Sequence, residues 1–243
     1  MSRDDTPESG YNMDVDSNAD PHAPGIGVDA TARTWRRLGR ELTNARSISG
    51  LVGTVERYGW IPPLLGLLLS GVARGIFEHL SEPFAMSQGY VFSGWQLALG
   101  INLFYGFFFV AFSWFLYFGV IGAFAGYFSE ETKMETTVFK VGGYLMVLFV
   151  PLVAVGSALA LTIPAPEPVV AGAAPATAVA RTHEVVADTH QMRIVGTMMA
   201  SGWILVGFLM LPIVSELYDV DNRASVLSVL PATLVAVTAT QLL

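Results

Sequence analysis

Long apolar runs separated by short polar segments dominate the sequence from Trp60 to the C-terminus. A helix that crosses the ~30 Å hydrocarbon core of a bilayer needs about 20 mainly apolar residues. Five runs meet this requirement, at residues 61–80, 97–128, 141–163, 194–215 and 224–243. The last three contain no charged residue. The pattern predicts an all-α integral membrane protein in which residues 59–243 form a bundle of five transmembrane helices.

The second run is longer than one bilayer crossing requires. At about 1.5 Å per residue, a helix over residues 95–128 would be ~50 Å long. Two arrangements fit this length: one long, tilted helix, or a short re-entrant or interfacial piece over residues 94–106 followed by a span. Two complete spans would need a polar turn, which this stretch does not contain. We favour one long helix.

The residues before the first span divide into two parts. Residues 1–30 are acidic and lack apolar periodicity, which predicts a disordered tail. In residues 31–58, Trp35, Leu38 and Leu42 recur at helical spacing among arginines. This pattern predicts an amphipathic helix that lies on the membrane surface and interacts with lipid headgroups. The alternative is a polar helix that packs on the protein's own cytosolic loops.

Basic residues between the spans predict the orientation of the bundle. Six arginines lie between Arg33 and Arg57, just before the first span, and the loop after that span has no lysine or arginine. The next loop carries Lys133 and Lys140, whereas the C-terminus has no basic residue. Because basic residues are retained on the cytoplasmic side, this alternation places the N-terminus in the cytoplasm and the C-terminus outside. Such an arrangement requires an odd number of spans, in agreement with five, and we expect the protein in the cell membrane.

Composition narrows the class further. Hydrophobic residues make up 53% of the chain and charged residues 14%, which is too few charges to cover a soluble domain. The net charge of −7 argues against a nucleic-acid partner. The chain lacks cysteine, has few lysines relative to arginines, and carries an Asp-rich tail. This combination favours a salt-adapted, halophilic archaeal host, the alternative being a membrane protein that is merely acidic.

Arg74 is the one charged residue well inside a span, and Glu78 follows it one helical turn later. Ionisable residues inside a membrane often mark a substrate or ion pathway. However, Arg74 lies near the end of the first span, where its side chain could reach the interface or pair with Glu78. We favour this structural interpretation and keep the pathway as the alternative, with Asn102 as a further polar candidate.

Glycines at four-residue spacing mark candidate helix-packing positions, because they allow close approach of two helices. The pairs are Gly71 with Gly75 and Gly122 with Gly126. They could line a dimer interface and so support a homo-oligomer, although packing within the bundle is the commoner case.

No catalytic or cofactor-binding constellation is recognisable. His183, Glu184, Asp188 and His190 cluster in one loop, but residue 187 is Ala, so the HExxH zinc motif is absent. We expect no metal site, no cofactor and no enzymatic activity.

The order of features after Trp95 resembles the Yip domain family, five-span membrane proteins named for their interaction with Ypt/Rab GTPases. The third span carries Gly143, Tyr144 and, seven residues later, Pro151. Further matching positions are Gly119, Gly122, Gly126, Thr136, Thr137, Trp203 and Pro231. The resemblance covers about three-fifths of the chain and implies a five-span fold. The cytosolic motif of eukaryotic members has only a loose counterpart at residues 57–60, which places the GTPase partner in doubt and suggests a prokaryotic member.

Two functions follow as hypotheses. The first is a non-enzymatic, membrane-organising scaffold that recruits a protein partner at its cytoplasmic face. The alternative is a small transporter or channel that uses Arg74 and Glu78.

Overall fold

The computed structural model describes residues 28–44, 47–82, 85–87, 90–92, 95–129, 135–164 and 175–242. These fall into two compact units, residues 1–43 and 44–243, which are described separately. Most of the predicted disordered tail lies outside the described residues.

The first unit contributes helix α1 (Val28–Asn44), which begins inside the region predicted as tail. Arg37 and Glu41 form an ion pair of 2.8 Å one helical turn apart on its surface. The predicted amphipathic segment 31–58 is therefore divided, because a second helix, α2 (Ile48–Tyr58), begins after a break and belongs to the other unit. Val52, Thr54 and Val55 form the buried face of α2, which lies against protein.

In the described part of the second unit, five helical segments are long and apolar enough to cross a membrane, which confirms the predicted number. They are α3 (Ile61–Ser81), α4 (Trp95–Phe128), the pair α5 (Thr137–Met146) and α6 (Phe149–Ala160), α8 (His190–Tyr218) and α9 (Asn222–Leu242). The 34 residues of α4 form one continuous helix. Helix α7 (Pro175–Ala187) precedes α8.

A short β-hairpin that the sequence pattern did not predict lies between α3 and α4 in the otherwise helical fold. Strands β1 (Ala85–Ser87) and β2 (Tyr90–Phe92) pair antiparallel, with Met86 opposite Val91. Helix α7 packs against β2, and α2 packs against α5 and α8 at the opposite end of the bundle. The two ends are called the hairpin end and the α2 end below.

Apolar side chains cover the outer surface of the bundle. On α3, for example, Leu64, Leu65, Leu68, Leu69 and Ile76 are exposed, and α4 exposes a dense set of phenylalanines. In water such a continuous apolar surface would drive aggregation, whereas in a bilayer these side chains contact lipid. Together with the helix lengths, this surface defines a multi-pass helical membrane protein.

Three glycines bring α3 and α4 into backbone contact. A Cβ atom built on Gly75 would lie 2.5 Å from the Cα of Leu103, and one built on Gly71 would lie 2.7 Å from the Cα of Phe107. Across the interface, a Cβ on Gly106 would collide with the backbone of Gly75. Larger residues at these positions would force α3 and α4 apart. The pair Gly71 and Gly75 therefore serves packing within the chain.

The third span is broken where α5 meets α6. At Val147 and Leu148 the hydrogen bonds change to the shorter pattern, since the Val150 amide donates to the Val147 carbonyl at 3.1 Å. This leaves the Met146 carbonyl to accept a hydrogen bond of 2.9 Å from the Ser70 hydroxyl of α3. Pro151, which has no N–H to donate to the preceding turn, follows directly. The break is therefore compensated by a neighbouring span.

We expect Gly75→Ala to destabilise the bundle by about 1–3 kcal/mol, because the added methyl group overlaps the α4 backbone. Gly100→Ala is the matched control, since a Cβ at this helical position meets no atom within 4 Å. It should leave stability within about 1 kcal/mol of the parent or raise it. Thermal unfolding of the purified proteins in detergent measures both; equal loss of stability would contradict the packing argument.

Candidate functional site

The Arg74–Glu78 pair forms as the sequence spacing suggests. The Nε of Arg74 donates to Oε1 of Glu78 at 2.7 Å, and both side chains are only about a quarter exposed, at 26% and 27%. Because Glu78 lies one turn nearer the hairpin end of α3, the bond draws the Arg74 side chain toward that end. The guanidinium carbon also lies 5.3 Å from the ring centroid of Phe77 and 5.1 Å from that of Phe109, in cation–π geometry.

Arg74 borders a cavity of about 930 Å³ inside the second unit. Side chains from each of the helices α3 to α9 form its wall, and most of them are apolar. Ser70 and Phe77 border it on α3, and Arg193 and Asp188 border it close to the hairpin end of α8. Binding sites for small amphiphilic molecules typically combine a wall of this kind with a few polar groups.

Aromatic side chains line the deepest described part of this cavity. The ring of Trp203 lies 4.7 Å from that of Tyr117 on one side and 4.7 Å from that of Phe149 on the other. The Tyr117 hydroxyl shares a hydrogen bond of 2.8 Å with the Thr233 hydroxyl and so links α4 to α9. These contacts join four spans near the middle of the bundle.

The bundle is solid between these aromatics and the α2 end. Fully buried apolar side chains from three spans fill this half: Phe118, Ile121, Val138, Val141, Val206, Met210 and Val214. Gly142 allows this packing, since a Cβ there would lie 2.5 Å from the Phe118 ring. Among the described residues, this layer fills the interior of the bundle toward the α2 end, while the cavity extends past it along the exposed side of α4 as far as Phe124.

Other predicted positions lie outside the cavity wall. Asn102 is buried at the α3–α4 contact, where its side-chain nitrogen lies 3.4 Å from Nδ1 of His79. Gly122 and Gly126 are buried on α4. Gly143 packs against Pro63, since its Cβ would lie 2.5 Å from the proline Cβ.

Two positions from the family resemblance differ in their surroundings. The hydroxyl of Tyr144 is buried and has no hydrogen-bond partner among the described residues. Pro151 is exposed on α6, just after the break in the third span.

The histidine cluster of the longest loop is separated by the fold. Nδ1 of His183 lies 2.7 Å from Oε1 of Glu82, at the end of α3. Asp188 lies 4.0 Å from Arg193. Within the described residues, no group of three potential metal-ligating side chains is close enough to hold an ion.

At the α2 end, polar contacts fix α2 on the ends of two spans. The Ser49 hydroxyl donates to Oε1 of Glu216 at 2.5 Å, and the Thr137 hydroxyl donates to Oε1 of Glu56 at 3.0 Å. Nearby, the backbone amide of Glu135 donates to the Tyr218 hydroxyl at 3.0 Å. Charged side chains remain exposed around this cluster, namely Glu56, Arg57, Glu216, Asp219, Asp221 and Arg223. We call this surface the α2 platform.

Sequence reasoning did not identify the cavity, the His183–Glu82 pair or the α2 platform. The partners in these sites are far apart in the chain, up to 167 residues for Ser49 and Glu216. The aromatics at the cavity were visible in the sequence, but Tyr117 is one of many on α4, and nothing local distinguishes it from the lipid-facing rings.

The chain is a multi-pass membrane protein by its five apolar helices. No family model matches it, and no curated protein or solved structure is detectably similar to it.

We expect the Arg74–Glu78 pair to behave as a unit. Arg74→Gln and Glu78→Gln should each destabilise the protein by about 1–3 kcal/mol, because each leaves one charge without its partner inside a span. The double variant should lose less than the sum of the two, since it removes both charges. Unfolding in detergent gives the coupling energy through a double-mutant cycle. Additive losses would show that the two residues act independently.

Proposed function

We propose that this chain is a non-enzymatic membrane scaffold of the Yip-domain type. It lies in the cell membrane with its N-terminus in the cytoplasm and recruits a protein partner at its cytoplasmic face. The observation that carries the proposal is the α2 platform, a polar helix fixed to the ends of the spans with its charged residues exposed.

The α2 platform suits partner recruitment for a physical reason. A surface that is already ordered loses little conformational entropy when a partner binds. The contacts of Ser49 with Glu216 and of Thr137 with Glu56 provide that order, because they join α2 to two different spans. Charges of both signs, such as Glu216 and Arg223, then offer specificity through complementary charges on the partner.

Orientation supports the same conclusion. Arg57 in the last turn of α2 and Lys140 in the first turn of α5 lie at the α2 end, where the positive-inside rule places the cytoplasm. The α2 platform then faces the compartment that contains soluble partners. With five spans, the C-terminus of α9 lies on the other side.

The absence of cysteine from the chain allows a direct test with single-cysteine variants. We expect a photocrosslinker on Arg57→Cys, on the α2 platform, to capture a specific partner in native membranes. Asp188→Cys, exposed near the hairpin end, is the matched control and should capture none. An impermeant thiol reagent should label Arg57→Cys only from the cytoplasmic side and Asp188→Cys only from outside.

A variant in which α2 is less firmly attached to the spans provides a second test. The double variant Ser49→Ala with Thr137→Val removes both side-chain contacts that fix α2 and should lower crosslinking severalfold without removing the protein from the membrane. Equal crosslinking at both cysteines, or labelling of Arg57→Cys from outside, would contradict the proposed recruitment surface.

A small transporter or channel using Arg74 and Glu78 is the second candidate function. The observation in its favour is the cavity that Arg74 borders. The packed layer around Phe118, Ile121 and Met210 argues against it, because a conduit needs polar groups on both sides of the midplane.

Flux into proteoliposomes separates the two functions. The scaffold predicts the same uptake of a small-ion and amino-acid panel as empty liposomes show, for the parent and for Arg74→Gln alike. Uptake by the parent that Arg74→Gln abolishes would establish the transporter instead.

A further inference from the structure

The cavity next to Arg74 combines an apolar interior with a polar edge. Its wall includes Val110, Met146, Val153, Met199, Ala232 and Val235. Its polar residues include Arg74, Arg193, Asp188 and Thr197, and those on α8 lie in the turns nearest the hairpin end. A molecule that fits both parts has a long apolar body and a polar group at one end.

The cavity borders the lipid-facing surface of the bundle. Leu116 and Phe124 on α4 and Val235 on α9 line it, yet they are 46%, 42% and 71% exposed. Side chains that line the cavity and are also exposed lie at its opening. This opening lies between α4 and α9 and faces the hydrocarbon core. A ligand can therefore enter from the bilayer without crossing water, which favours a membrane lipid over a soluble metabolite.

Arg74 indicates the chemistry of the polar end. A guanidinium has N–H donors on each of its nitrogens, and the bond to Glu78 uses the one on Nε. The rings of Phe77 and Phe109, which also line the cavity, flank the guanidinium. Their contact holds it in place and leaves the terminal nitrogens for a planar or tetrahedral anion such as a phosphate.

We propose that this cavity binds one phospholipid, with a hydrocarbon chain between α4, α8 and α9 and the phosphate at Arg74. The rings of Trp203, Tyr117 and Phe149 line the chain site from three different spans. The volume of about 930 Å³ is at the upper end of the range for small-molecule sites, so the cavity can hold one hydrocarbon chain and the phosphate while the rest of the lipid stays in the bilayer. The lipid site is separate from the α2 platform. A negative result for lipid binding would therefore leave the proposal of partner recruitment intact, and the reverse also holds.

Binding to the full-length protein in detergent, followed by native mass spectrometry, tests the proposal. The probes are phosphatidylglycerol and a diacylglycerol with the same chains. We expect phosphatidylglycerol to bind at least about tenfold more tightly, because charge-assisted hydrogen bonds to Arg74 exist only with a phosphate. The double variant Arg74→Gln with Glu78→Gln should remove this preference and leave diacylglycerol binding unchanged.

A cavity-filling variant tests the chain site. Ala236 lines the cavity, and Ala236→Phe should weaken binding of both lipids by at least about tenfold because the ring occupies the space of the chain. Ala158→Phe is the matched control: it places the same ring on the exposed face of α6, opposite the cavity-lining Phe149 and Val153, and should bind as the parent does. Unchanged binding by Ala236→Phe would overturn the proposal.

Two further results would also overturn it. Equal binding of phosphatidylglycerol and diacylglycerol by the parent would exclude the phosphate contact at Arg74. Displacement of phosphatidylglycerol by millimolar inorganic phosphate would identify a site for the free anion rather than for a lipid.

A measurement on the unmodified protein remains decisive if Ala236→Phe does not fold. A phospholipid with a photoreactive group at the chain terminus should label Val153 or Met199, which line the cavity but are only 5% and 8% exposed. Labelling confined to outward-facing residues of α3, such as Leu68 and Leu69, would show that the chain stays in the surrounding bilayer and would refute the site.

Discussion

The backbone contact between α3 and α4 determines where the remaining spans can lie. Gly71 and Gly75 on one helix and Gly106 on the other bring the two backbones closer than any side chain would allow. The broken third span then packs on α3, and α9 packs on α4. Because apolar side chains gain little by leaving lipid for protein, such steric fit and the polar contacts between spans must hold the bundle together.

The two halves of the bundle differ in how densely their side chains pack. Toward the α2 end, Phe118 fits against Gly142, and large side chains fill the space between the helices. Toward the hairpin end, the same helices diverge around a cavity, and Arg74 replaces an apolar side chain at its wall. The solid half gives rigidity at the end where α2 is fixed, and the open half gives room for a ligand at the other.

The sequence pattern accounts for the spans but for little of their arrangement. Runs of apolar residues set the number of long helices, and the unbroken apolar stretch of 95–128 was enough to favour one helix for α4. The β-hairpin was missed because its two strands are three residues long and are defined by backbone pairing, which leaves no periodic trace. The division of 31–58 into α1 and α2 was missed because helical spacing alone does not reveal a break at its polar middle.

The candidate site shows the same limit. The Arg74–Glu78 contact is local, so the four-residue spacing was sufficient to propose it. The cavity exists because side chains from separate spans leave space between them, among them Met146, Trp203 and Ala232. No pattern along the chain encodes that difference in volume. The bond of His183 to Glu82 likewise joins residues 101 positions apart, and the histidines gave no local sign of it.

The break in the third span has a structural consequence. Helix α5 packs against Pro63 and Gly66 and reaches the cavity wall only with its last residue, Met146, whereas α6 contributes Phe149 and Val153 to that wall. The joint at Val147 and Leu148 separates these two roles, and the Ser70 hydroxyl lies within 2.9 Å of carbonyls on both α3 and α5. The third span can therefore carry two helix axes, one for each role, because the Met146 carbonyl at the joint is hydrogen-bonded by α3 and is not left unpaired inside the bundle.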